Sequence, residues 1–319
     1  MGKYILRRAF QMIPVFLGVT LLLFILTTVI PGDPVAIRAG ERALSPAARA
    51  AFVEKYNLDA PLHEQYFTYL GGLLSGDLGE SYRQNREVSQ IYLDLYPNTA
   101  RLALAAIFVE VIIGIAAGII SAIKRYSLLD VLVTLSTSIL VSLPVFWLGM
   151  LMQVFFGIKF KEWGLPYLPI SGMGDPPDLI HLVMPAITLA SVSTAYVARI
   201  MRSQLLEVMG QDYIRTAIAK GLTDGAVVRR HALKNALIPV VTFIGLDLGA
   251  MMSGAILTET IFNWPGVGYA IFAAIGQRDW PVVMGGVVLI VIVVMVINLL
   301  VDISYALLDP RIRYERRAV

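Results

Sequence analysis

The stretch AFQMIPVFLGVTLLLFILTTVI (residues 9–30) decides the fold. It carries no charged residue, and Lys3, Arg7 and Arg8 precede it. At about 1.5 Å per residue it spans roughly 30 Å as a helix, the thickness of a bilayer's hydrocarbon core. A signal peptide has an apolar core of about 7–15 residues and a small-residue cleavage site. Here the run is longer and leads into Pro31-Gly32-Asp33-Pro34, so it reads as a first transmembrane helix.

Five further apolar runs are long enough to cross: Leu102–Ile123, Val131–Phe156, Leu182–Val197, Leu237–Leu257 and Val282–Val301. The fourth extends through Ile200 if Arg199 reaches the interface with its long side chain. In hydrocarbon the backbone must satisfy its own hydrogen bonds, so each run is expected to be helical. The fold class is therefore all-α integral membrane, with six transmembrane helices. Gly114, Gly118, Pro144 and Gly249 fall within these runs and are tolerated there, small residues allowing close helix approach.

Composition agrees. The 319 residues are 57% hydrophobic and 15% charged, whereas soluble domains carry about 25% charge. The absence of cysteine excludes disulfides, thiolate metal sites and cysteine nucleophiles. A net charge of +3 gives no argument for nucleic acid. Its distribution does set orientation. With the N-terminus inside, sixteen of the 26 Lys and Arg fall on inner segments, while the two short outer loops hold only Lys159, Lys161 and Arg278. The positive-inside rule then makes both termini cytoplasmic.

The expected layout is a basic segment and first helix over 1–30, an extracytoplasmic loop over 31–98, a transmembrane domain over 99–308 with a cytoplasmic loop over 201–235, and a cytoplasmic tail over 309–319. So long a loop has structure or function of its own. Ser45-Pro46 starts a helix to about Tyr56, Pro61 opens a second through Leu74, and GDLGES (76–81) is a turn. This small helical outer subdomain is either a scaffold on the lipid surface or a docking surface.

The chemistry-bearing residues are few. Glu110, Asp247 and Asp302 are acids within spans, where charge is expensive and normally faces a cavity or a partner. They read either as pathway lining and anchors for a cationic group, or as packing locks. Pro144, Met251, Glu259 and Trp264 join Glu110 and Asp247 as candidates for the pathway or gate. His63, His181 and His231 lie far apart, so no metal site is expected. No nucleophile elbow and no P-loop occur, so any ATP must be hydrolysed by another chain.

The main inner polar segment, 201–235, contains DYIRTAIAKGL (212–222). Asp212 caps a short helix and Gly221 ends it in a left-handed turn. Thr223 starts a second helix through Asn235. A short helix tied to a membrane span suits a mechanical coupler that fits a cleft in a soluble partner. It equally suits a basic surface helix resting on acidic lipid.

That segment resembles the coupling loop of ATP-binding-cassette importer permeases. Tyr213, Arg215, Thr216, Ala217, Ala219, Lys220, Gly221 and Leu222 match the peptide and nickel branch, with Arg215 in place of the general motif's acid. IPGDPV (30–35), GDLGES (76–81), RHALKNALIPVV (230–241), ILTETIFNWPGVG (256–268) and LLVDISYALLDPRIRY (299–314) are similar to the same B-type permeases. The resemblance implies a transport subunit rather than an enzyme, in a prokaryotic cytoplasmic (inner) membrane. Its expected partners are a second homologous permease, two ATP-binding subunits, an extracytoplasmic substrate-binding protein and membrane lipid. No cofactor is expected in this chain, since ATP and Mg would be held by partners. The implied cargo is a di- or oligopeptide, with nickel or glutathione as family alternatives. Trp264-Pro265-Gly266 would line an outer gate, meet the binding protein, or form an interfacial aromatic belt and turn. A proton-coupled secondary transporter using the membrane acids is the competing class, and it would favour internal repeats that are not seen.

Overall fold

The computed structural model describes residues 2–29, 45–55, 57, 59–253 and 255–308. IPGDPV (30–35) and the tail over 309–319 lie outside them. Among the described residues the chain is all helical apart from turns and a single bridge between Glu80 and Glu87. The helices are α1 (Gly2–Val29), α2 (Pro46–Lys55), α3 (Leu62–Leu74) and α4 (Val88–Ile123). Next come α5 (Leu128–Ser142), α6 (Val145–Glu162), α7 (Ile180–Met209) and α8 (Asp212–Ala219). The last are α9 (Asp224–Met252), α10 (Ile256–Ile261), α11 (Val267–Gln277) and α12 (Trp280–Leu308). Six spans result when α5 and α6 count as one.

The third span differs from the single helix expected over Val131–Phe156. It bends by 106° between Ser142 and Val145. Leu143 leaves the helix at ψ 134° ahead of Pro144, the conformation a following proline ring imposes. Pro144 also lacks the N–H that would continue the ladder. The break is therefore encoded by one residue.

Three other boundaries move. The second span starts at Val88, not Leu102, so the outer segment ends about ten residues before Asn98. Polar residues such as Gln90, Asp94 and Asn98 hide these turns from an apolar reading, because hydropathy reports depth in hydrocarbon rather than helix length. α7 runs on to Met209, and the helix starting after Thr223 continues without a break into the fifth span. The fifth span ends at Met252 rather than Leu257, and the chain forms the separate α10. The outer helices match the expectation, with α2 at Pro46–Lys55 and α3 opening after Pro61.

α7 is the hub. It buries Met184, Ala190, Ala195, Val197, Met201 and Leu205 against neighbours on several sides. Its tightest contact is with α4. A Cβ placed at Gly114 would lie 2.7 Å from Val197 Cγ1, and one at Gly118 would lie 2.6 Å from the Ala198 carbonyl oxygen. Lipid tails are as apolar as leucine, so spans associate through such close packing of small residues spaced four apart. The peripheral α1 turns Leu6, Phe10, Leu22 and Ile25 outward, as a lipid-facing helix should. It is held to α12 by Arg8, whose Nε and Nη2 each lie 2.9 Å from Asp302 carboxylate oxygens. Arg8 thus ties Asp302 to α1, and both residues border a cleft between α1 and α12. α3 rests on α1 through Tyr66, whose ring lies 5.5 Å from Phe24 and whose hydroxyl lies 3.1 Å from Thr20 Oγ1.

Candidate coupling site and membrane pathway

The candidate coupling helix α8 is amphipathic within eight residues. Ile214 and Ala217 point inward and are buried with Met201 and Leu205 of α7, Ala122 of α4, and Val227 and Ala236 of α9. Tyr213, Arg215, Thr216, Ala219, Lys220 and Gly221 are exposed. Of the residues matching the coupling motif, Ala217 anchors the helix beside Ile214, Leu222 is half-buried against the same core, and the rest face out. The amphipathic split follows from helical spacing, since Ile214 and Ala217 are three apart.

The helix ends are specific. Gln211, not Asp212, occupies the N-cap position, and its side chain makes no capping bond. Asp212 sits in the first turn instead, where its charge complements the helix dipole, and Arg215 Nη1 lies 3.4 Å from its Oδ1. At the other end the Leu222 N–H donates to the Ala217 carbonyl at 3.4 Å and the Gly221 N–H to Ile218 at 2.9 Å. This is a Schellman turn. It requires the left-handed φ of +82° observed at Gly221. Asn235 Nδ2 donates to the Tyr213 hydroxyl at 2.8 Å, tying α8 to the start of the fifth span. α8 thus shares a packed core with α7 and α9 and a hydrogen bond with α9.

In the membrane, three of the candidate pathway residues meet. Glu110 of α4 is fully buried, and the Asp247 carboxyl of α9 lies beside it. Neither Glu110 oxygen, nor Asp247 Oδ2, has a hydrogen-bond partner among the described residues. Met251, one turn further along α9, packs on Ala103 and Ala106 of α4 and Ala190 of α7. Glu110 also opens a wider π-turn over Glu110–Gly114, a distortion found often at functional positions. Pro144 lies apart, at the break of the third span. Around that break, α4 to α7 line an open apolar cavity of about 400 Å³, bordered by Val109, Ile113, Leu140, Leu148, Met152 and Thr194 among others.

Glu259 and Trp264 belong to a different assembly, at the end of the bundle away from α8. Glu259 is fully buried and accepts from Thr99 Oγ1 at 2.8 Å and from the Tyr269 N–H at 2.9 Å. Trp264 is 2% exposed, and its Nε1 donates to the Asn98 carbonyl at 3.0 Å. Asn98 Nδ2 returns a bond to the Pro265 carbonyl at 2.8 Å. The α10–α11 hairpin is thus stapled to α4. An aromatic belt would place the ring at the surface, and this ring is inside. Beside the staple, Asp279 is buried and accepts Ser81 Oγ at 2.5 Å and the Tyr82 N–H at 3.0 Å. In the outer loop the His181 N–H donates to Asp178 at 3.0 Å and holds that carboxyl below the usual carboxylate range, the His181 ring adding to the effect.

Sequence reasoning missed Asn98, Thr99, Asp130, Arg202 and Asp279. Each pairs with a residue far along the chain or sits at a span edge, where hydropathy sees only a boundary.

A bundle of six spans, one broken at a proline, with a short exposed helix rooted in the core, defines a polytopic membrane transport subunit. The chain belongs to the family of binding-protein-dependent transport system inner membrane components, whose profile matches residues 114–314, with the family's N-terminal profile matching residues 1–103. It is 42% identical to the di/tripeptide transport system permease protein DppB of Pseudomonas aeruginosa, over 99% of this chain and 100% of that protein. It is 39% identical to the dipeptide permease DppB of Escherichia coli K12, over 99% and 100%. It is 37% identical to the oligopeptide permease AppB of Bacillus subtilis, over 98% and 100%. Among solved structures, the inward-facing MetNI methionine ABC transporter matches at TM-score 0.53 and 19% identity, over 69% of this chain and 97% of that one. This chain is accordingly a multi-pass protein of the cytoplasmic membrane.

Proposed function

We propose that this chain is the translocation subunit of an ATP-driven importer that carries di- and oligopeptides across the cytoplasmic membrane by alternating access. It would pair with a second homologous permease and receive cargo from an extracytoplasmic substrate-binding protein. Two ATP-binding subunits would hold ATP and Mg and dock on the exposed face of α8. Both termini would then be cytoplasmic, on the same side as α8. The observation that carries this reading is the construction of α8, whose inner face is buried among three spans while its outer face is left to a partner. A helix merely lying on lipid would have no need of Ile214 and Ala217 in a shared core. The names of the 37–42% identical relatives support peptides as cargo over nickel or glutathione.

The test is reconstitution of the complex purified from its native membrane into proteoliposomes, with labelled dipeptide and the binding protein outside. Uptake that requires ATP and survives a proton uncoupler is expected. Uptake that survives ATPase removal and collapses with the proton gradient would overturn the proposal.

A further inference from the structure

At the inner end of the bundle, one carboxylate joins three spans. Asp130, in the first turn of α5, is 5% exposed. It accepts Arg202 Nε on Oδ1 and Arg202 Nη2 on Oδ2, each at 2.8 Å. Oδ1 also accepts Ser121 Oγ of α4 at 2.5 Å, and Oδ2 accepts the Tyr126 N–H of the connecting turn at 2.9 Å. Both oxygens therefore have two donors. A buried ion pair normally fails to repay its desolvation unless geometry is good and the remaining lone pairs are filled, and here both conditions hold. The fork of arginine fits both carboxylate oxygens at once, which fixes angle as well as distance.

The position of this pair matters more than its strength. Arg202 lies on α7 one turn before Leu205, which packs on Ile214 and Ala217 of α8 in the shared core. Ser121 adjoins Ala122, a member of the same core. One turn away on α7, Arg199 reaches Thr137 Oγ1 at 3.4 Å and Ser138 Oγ at 3.2 Å, a second tie between α7 and α5. α8 does not itself touch the third span through the core residues named above. Two paths lead from α8 to α5, one through α7 and these two arginines and one through Ala122 and Ser121 of α4, and both converge on Asp130. Beyond the arginine ties, α5 leads to the break at Pro144 and to Leu140, which lines the apolar cavity.

We infer that Asp130 and Arg202 are positioning residues for coupling, locking the third span to α7 so that displacement of α8 reaches the broken span around the cavity. Bidentate geometry makes the lock stiff to rotation, which a single van der Waals contact is not. This inference rests on the reading of α8 as the ATPase contact. It does not depend on which peptide is carried.

The test uses the reconstituted full complex carrying Asp130→Asn, Arg202→Lys, or the exchanged pair Asp130→Arg with Arg202→Asp. Three quantities are read: ATPase recovered with the chain, ATP hydrolysed, and peptide imported per ATP. Asp130→Asn should retain bound ATPase and at least half the hydrolysis while import per ATP falls tenfold or more. Arg202→Lys, which keeps charge but loses the fork, should show an intermediate loss, and the exchanged pair should recover part of the ratio. Unchanged import per ATP in both single variants would overturn the inference. So would hydrolysis and import falling in equal proportion, since that is the mark of general destabilisation. If the wild-type complex carries no ATPase, the α8 reading fails by itself, which is a distinct result.

Discussion

At the residue scale, the Glu110–Asp247 contact is the feature that simple stability does not explain. Two carboxyls meet in the bilayer interior with three of their four oxygens unpartnered among the described residues. An unpartnered buried polar group costs about 1–3 kcal/mol, and more if charged. A fold selected for stability alone would remove such a pair. Replacing Asp247 with Asn is therefore predicted to leave thermal stability of the complex unchanged or raised, while lowering peptide uptake at least threefold. Differential scanning fluorimetry beside the uptake assay checks both, and unchanged uptake would make the pair structural. Both acids were legible in the sequence as costly membrane charges. Their meeting was not, because residues 110 and 247 lie on helices whose rotation a single sequence does not state. Asp178 gives a test with a defined sign. Its carboxyl is held low, so its tie to His181 contributes in full above the ordinary carboxylate pKa and is lost as pH falls through the lowered value. The protection factor of the His181 amide, its exchange rate corrected for intrinsic pH dependence, should fall below that range and be constant above it.

At the element scale, glycine and proline carry the design. Gly118 faces the Ala198 carbonyl at a distance no side chain tolerates. Overpacking a core costs about 1–3 kcal/mol, and here the obstacle is backbone that cannot rotate away. Gly118→Val is predicted to separate α4 from α7 and cut the yield of folded complex severalfold, as read by size-exclusion chromatography. Gly221→Val should act differently. Nothing lies within 4 Å of a Cβ there, but the left-handed φ costs a branched residue about 1–2 kcal/mol. Only the end of α8 is disturbed, so the spans should insert normally while ATPase recovery falls at least fivefold in a pull-down. The elements themselves were readable because hydrocarbon thickness dictates their length. The first three turns of α4 were not, being polar. The break at Pro144 was hidden for a different reason, since membrane helices often absorb a proline when neighbours satisfy the freed carbonyl. Here Leu143 turns extended and the helix starts again.

At the scale of the whole molecule, two assemblies sit at opposite ends of the bundle. At the end away from α8, Glu259 and Trp264 staple the α10–α11 hairpin onto α4, and Asp279 ties Ser81 of the GDLGES turn to the α11–α12 junction. At the inner end α8 shares a core with α4, α7 and α9. Between them lie the Glu110–Asp247 pair and the broken third span. This layout suits alternating access, in which stiff ends move relative to one another around a compliant middle. The coupling motif was legible residue by residue in DYIRTAIAKGL, but its division into an anchored face and a free face required the structure. Because the chain has no native cysteine, that free face can be tested directly. Single cysteines placed at Arg215, Lys220 or, as a buried control, Leu205 would be labelled in native membranes with a short thiol-reactive photo-cross-linker, which needs no cysteine on the partner. The account predicts adducts with a P-loop ATPase from positions 215 and 220, altered by ATP, and none from 205. Adducts absent from both exposed positions, with the complex otherwise intact, would contradict it.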